Sequence, residues 1–132
     1  MGKYAKLIDE LAGGTASGAA RDTLLKADRR AFGPLVAAPA NHPNADVREE
    51  IAEILGNRKD VAAIPHLLNA VVDSDQYVRM DAIWSIRRIL GFEPTAMEEL
   101  LDLEYSDPKG NKIKIAGFLR KIHVYLKNID WR

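Results

Sequence analysis

The segment Asp46-Val47-Arg48-Glu49-Glu50-Ile51-Ala52-Glu53-Ile54-Leu55-Gly56 is echoed thirty-one residues later by Tyr77-Val78-Arg79-Met80-Asp81-Ala82-Ile83. The same shift sets Pro34 beside Pro65, each inside the helix that precedes its copy. The second copy runs one turn further, so Ile89-Leu90-Gly91 follows Ile54-Leu55-Gly56 at thirty-five residues. A repeat of this length is one supersecondary unit. It carries too few apolar residues to close a core alone, so copies must stack and share one.

The apolar spacing is helical almost throughout, and no segment alternates over strand length. Tyr4, Leu7, Ile8 and Leu11 mark a first helix, stopped by Gly13-Gly14. Residues 13–18 read as a Gly-rich connection, and Ala20, Leu24 and Leu25 mark a second helix. A third spans about 29–38, interrupted near Gly33-Pro34, and the turn Pro39-Ala40-Asn41-His42-Pro43-Asn44 breaks the chain. Asp46 is the expected N-cap of a helix from Val47 to Leu55, with Gly56 its stop. Asp60 is expected to cap Val61–Val72, and Val78–Leu90 follows the turn Asp73-Ser74-Asp75. Pro94 opens a helix to about Tyr105, residues 106–111 form a loop, and a last helix runs from about Lys112 to Lys127. One domain over 1–132 is expected, with cap helices in 1–28 and helix pairs in 29–56, 60–91 and 94–128.

The stretch Val47–Gly91 reads V-R-x-x-x-A-x-x-L-G, a link containing Asp60, an A-x-x-P-x-L-like helix from Ala62 to Leu68, Asp73-Ser74-Asp75, then V-R-x-x-A. This resembles the HEAT repeat, in its bacterial phycobilin-lyase-type form. The resemblance implies an all-α, short right-handed α-solenoid of antiparallel helix pairs, about seven or eight helices in all, whose second helices line the concave side. It also implies that Arg48 and Arg79 bind the acidic turns of adjoining units. In function it implies a non-catalytic protein-binding module of adaptor, regulatory or inhibitor and immunity type, which uses that concave face.

Composition narrows the chemistry. With 19 basic and 19 acidic side chains, overall charge favours no class of partner. The absence of cysteine excludes thiolate catalysis, disulfides and zinc sites built on Cys. No apolar run approaches the ~18 residues of a membrane span, and the N-terminus has no apolar secretory region. A cytoplasmic monomer without a cofactor is expected. His42, His66 and His123 have no partner at metal-ligand spacing, and none is followed by Glu as in the His-Glu dyads of iron-dependent HEAT hydroxylases. His66 is expected to be exposed or capping. Gly13-Gly14-Thr15-Ala16-Ser17-Gly18 lacks the lysine of a phosphate loop.

Two surface features stand out. Val78, Ala82, Ile86 and Ile89 share one stripe at ~100° per residue, which sets Tyr77, Met80, Asp81, Trp84 and Arg88 on the other side. Trp, Tyr, Met and Arg are the types enriched in interfaces. Tyr77, Met80, Trp84 and Arg88 are therefore the expected centre of a protein-binding surface, with Glu49, Glu50 and Glu53 as its acidic flank. The bland alternative packs Trp84 against a neighbouring helix or a terminal segment. A nucleic-acid role like that of the HEAT-like alkylpurine DNA glycosylases would use Tyr77, Arg79, Trp84, Arg87 and Arg88, but the glutamate face would repel phosphate. The second feature is charge segregation. Residues 93–107 carry six acids and no base, whereas 109–132 are basic, an arrangement expected to neutralise itself between antiparallel helices. The core register yields one prediction: Ala82→Leu should overpack the contact between second helices and lower unfolding free energy by roughly 1–3 kcal/mol, read by urea denaturation.

Overall fold

The structure is a computed structural model that describes residues 3–13, 17–90 and 102–127. Helices α1 (Lys3–Glu10) and α2 (Ser17–Lys26) come first. A 3-10 turn at Arg29–Ala31 leads into α3 (Phe32–Asn41), followed by α4 (Ala45–Arg58). A second 3-10 turn at Val61–Ala63 leads into α5 (Ile64–Ala70), then α6 (Gln76–Leu90) and α7 (Pro108–Lys127). The described residues thus hold seven α-helices and no strand.

The helix ends differ from the sequence expectation in instructive ways. Asn44, not Asp46, caps α4: its side-chain oxygen accepts from the Asp46 amide at 2.9 Å. Asp46 lies in the first turn, where an acid still favours the helix dipole. Thirty-one residues on, Asp75 does the same for α6, accepting from the amides of Tyr77 (2.8 Å) and Val78 (3.1 Å). The cap thus belongs to the repeat, three positions ahead of each Val-Arg. Gly56 does not stop α4, which runs to Arg58 and ends on Lys59 in the left-handed region at φ 54°. Asp60 sits at its N-cap without a capping bond, and its carboxylate instead meets Arg58 at 2.9 Å. Gly33-Pro34 interrupts nothing, because Pro34 lies in the first turn of α3, where its missing N–H has no partner to lose. The break after α3 is only 42–44. Residues 102–107 are not helical, and Pro108 opens α7 where a loop was expected, with the Asp107 carboxylate accepting from the Gly110 amide at 2.9 Å. The expected helix start at Pro94 lies outside the described residues.

The helices stack in two layers. α1, α3 and α5 lie side by side in one, α2, α4 and α6 in the other, and α4 against α6 is the most extensive contact. The segment before residue 29 is therefore itself a helix pair stacked in the same sense. Between the layers, Leu24, Leu35, Ile51, Ile54, Leu55, Ile64, Leu67 and Ile86 are fully buried. Val78 and Ala82 are buried as the stripe requires, and Ile89 is half-buried at its edge.

Arginines fasten the loops. Arg48 makes a two-pronged pair with Asp73 (Nε–Oδ2 2.9 Å, Nη2–Oδ1 3.1 Å), as the Arg–Asp expectation required. Its Nη1 also donates to the carbonyls of His42 and Pro43. Arg79 repeats the second half of this, donating to the carbonyls of Asp73 and Ser74. Its forward contact differs from expectation: Nε donates to the Tyr105 carbonyl rather than to an acid. On the opposite edge Arg58 donates to the carbonyls of Leu24 and Ala27, satisfying the end of α2. Asn111, fully buried, ties α7 down, donating to the carbonyls of Val71 (3.1 Å) and Glu104 (2.7 Å) and accepting from the Glu104 amide.

At Gly56, α4 and α6 approach each other closely. A Cβ placed there would lie 2.8 Å from the Cα of Ser85. That closeness lets the buried Ser85 hydroxyl donate to the Ala52 carbonyl at 2.7 Å. Gly56→Ala would gain about 1 kcal/mol of helix propensity but force two backbones apart. We expect a net loss on the order of 1–2 kcal/mol in urea unfolding; an unchanged or raised midpoint would contradict the close crossing.

Candidate functional site

The side of α6 turned away from the core carries the residues singled out from the sequence. Tyr77 is 52% exposed, Trp84 40% and Met80 39%. Large apolar side chains at this exposure on one helix face have no part in the folded core. Arg88 lies over Trp84, its guanidinium carbon 4.9 Å from the ring centroid. This is a cation–π arrangement that stiffens the aromatic. The Arg88 Nε itself is buried and finds no hydrogen-bond partner among the described residues. At 40% exposure Trp84 is not fully covered by the described helices.

Beside these residues is a cavity of about 400 Å³ lined by Met80, Ile83, Trp84, Arg87, Leu103 and Tyr105. Its far wall is the 102–107 turn, where Tyr105 is 47% exposed. The sequence reading missed Tyr105, which it assigned to the end of a helix. Its place is fixed by two guanidiniums on α6: Arg79 donates to the Tyr105 carbonyl and Arg87 to the Leu103 carbonyl. Nothing in the local pattern of residues 102–107 signals that contact.

The acidic flank is less free than expected. Glu49, Glu50 and Glu53 are all half-buried, and Arg21 on α2 pairs with both Glu50 and Glu53. The sequence could not offer Arg21 as a partner, because α2 lies outside the repeat and its facing was unknown. Glu49 instead lies beside Asp81 on α6. Burial raises the Glu49 carboxyl above its usual range. Burial first, and then Glu49, Glu53 and Glu50, push Asp81 up to about 7. A second cavity of about 330 Å³ lies nearby between Leu11, Gly13, Gly18, Arg21, Asp46 and Glu49.

The histidines are dispersed. His42 Nε2 meets the Asp9 carboxylate at 2.8 Å. His66 packs edge-on against Phe32, with centroids 6.4 Å apart, rather than standing exposed or capping. Burial lowers its pKa. The side chain of His123 lies outside the described residues, as do residues 14–16 of the glycine loop and most of the acidic run after Gly91. Lys114 donates to the backbone carbonyl of Asp102, not to an acidic side chain. Among the described residues no group of three or more His, Asp or Glu could hold a metal ion, and no helix is long and apolar enough to cross a membrane.

Comparison with known proteins gives one match. A family model described as HEAT repeats covers residues 33–114, from the first turn of α3 into α7. It carries the general repeat and does not single out the phycobilin-lyase form. No curated protein and no solved structure matches the chain. The exposure of Trp84 generates a spectroscopic prediction. With Trp131 replaced by Phe, Trp84 emission should be red-shifted and open to acrylamide quenching. A blue-shifted, quencher-protected signal would mean that Trp84 is packed.

Proposed function

The chain belongs to the HEAT repeat family, and from that premise we propose that it is a non-catalytic protein-binding module, of adaptor, regulatory or inhibitor type, acting as a monomer. Its binding surface is the outer face of α6, with Tyr77, Met80, Trp84 and Arg88 at the centre. The observation that carries this reading is the exposure of Tyr77, Met80 and Trp84 on one helix face beside a cavity of about 400 Å³. A solenoid needs no large apolar side chains there for its own packing. A partner segment that seats an apolar side chain between Trp84 and Tyr105 would remove all of this surface from water. Arg88 would be held ready by its stacking on Trp84 to meet a carbonyl or carboxylate at the rim.

A nucleic-acid role is less well supported. Arg79 and Arg87 already donate to backbone carbonyls of the 102–107 turn, and the carboxylates of Glu49 and Asp81 lie beside the same face.

The test is a binding measurement on a partner captured with the intact protein and then purified. Trp84→Ala should leave helix content and melting temperature unchanged. It should weaken binding by about 2 kcal/mol or more, roughly thirtyfold in Kd. A Trp84→Ala protein that binds as tightly as the wild type removes α6 from the interface.

A further inference from the structure

We propose that Asp81 and Glu49 hold one proton between them across the α4–α6 seam, and that its release makes the outer face of α6 more negative as solution turns from acid to neutral. α4 and α6 run in the same direction, and the bond from Ser85 to the Ala52 carbonyl fixes their register. Gly56 lets them approach closely at that point. One turn toward both N-termini, on the same seam, come Glu49, three residues before Ala52, and Asp81, four before Ser85. The register that joins Ser85 to Ala52 therefore also sets two carboxyl groups side by side on the seam. Two ionised carboxylates repel at that distance, whereas one proton shared between them gives a hydrogen bond.

The surrounding charges do not relieve the pair. From α4, Asp46, Glu50 and Glu53 add negative potential, and Asp75 adds more at the start of α6. The cation that faces the cluster is Arg21 of α2, and its guanidinium is engaged with Glu50 and Glu53. Burial of the seam is the largest cause for Asp81, and with Glu49, Glu53 and Glu50 it pushes that carboxyl up to about 7.

Position gives the proton a consequence. Tyr77, Asp81, Trp84 and Arg88 follow one another at spacings of four, three and four along α6. Asp81 thus lies within the surface proposed for partner binding, and this consequence rests on that reading. A lysine or arginine presented there by a partner would take the proton's place and bind more tightly as the pH rises. The proton itself is a property of the free chain.

Carboxyl-carbon NMR on the free full chain tests the pair directly. Asp81 should titrate near neutrality, about 7, and Glu49→Gln should lower that midpoint by roughly one unit or more. A wild-type midpoint near 4, in the ordinary carboxylate range, overturns the proposal, as does a midpoint unmoved by Glu49→Gln. Stability gives a second readout. The folded chain keeps a proton that the unfolded chain releases near 3.8, so stability falls as pH rises from about 4 to about 7. Asp81→Asn should remove that fall. The half-buried His66 acts in the opposite sense below its ordinary value, but equally in both proteins. An Asp81→Asn protein with the full wild-type slope overturns the proposal. No partner is present in either measurement, so failure here is separate from failure of the binding surface.

Discussion

The Ser85 hydroxyl reaches the Ala52 carbonyl of the neighbouring helix because residue 56 has no side chain to hold the two backbones apart. A buried hydroxyl without a partner would be costly, so the contact fixes both the distance and the axial register of α4 against α6. The stripe of Val78, Ala82 and Ile86 then has only one way to face inward. Once that face is fixed, Tyr77, Met80 and Trp84 have no place in the core. The same register aligns Glu49 with Asp81. Packing, exposed aromatics and paired carboxyls are three results of one close crossing.

The arginines act on a different part of the problem. Hydrophobic burial between stacked helices is largely non-directional and would tolerate sliding. Arg48, Arg58 and Arg79 bind carbonyls at the ends of helices and in turns, groups that otherwise lack intrahelical partners. They give each loop a defined position relative to the next. Arg87 extends this to Leu103, and so sets the wall that faces Trp84. The charged residues nearest the candidate surface thus serve mainly to hold its shape.

Much of this was legible in the sequence wherever the repeat was intact. The thirty-one-residue shift placed α4 and α6 and their inward stripe, and the resemblance to HEAT repeats implied the Arg48–Asp73 pair. The shift also placed Tyr77, Met80 and Trp84 on the outward side. Errors arose where a residue had two plausible local uses. Asp46 stands directly before the apolar run and looks like a cap, but Asn44 is the residue with extended backbone geometry. Gly56 looks like a stop, yet its lack of a side chain serves a tertiary contact, which no local pattern reports. The Pro108-Lys109-Gly110-Asn111 run has turn composition, but a capping aspartate before a proline begins a helix there. Arg21 and Tyr105 came into the site from segments with no repeat register, so only the three-dimensional arrangement could bring them in.

The loop contacts of Arg48 and Arg79 also bear on how such an array can change in length. Each guanidinium takes the carbonyls six and five residues behind it and one group in the loop of the following unit. Adding or deleting a complete unit leaves every arginine with a loop behind and a loop ahead. A single residue inserted between Pro43 and Asn44 would instead displace both carbonyls at once from the guanidinium. The array is thus modular along its axis and intolerant within each module, so its natural increments of growth are whole repeats.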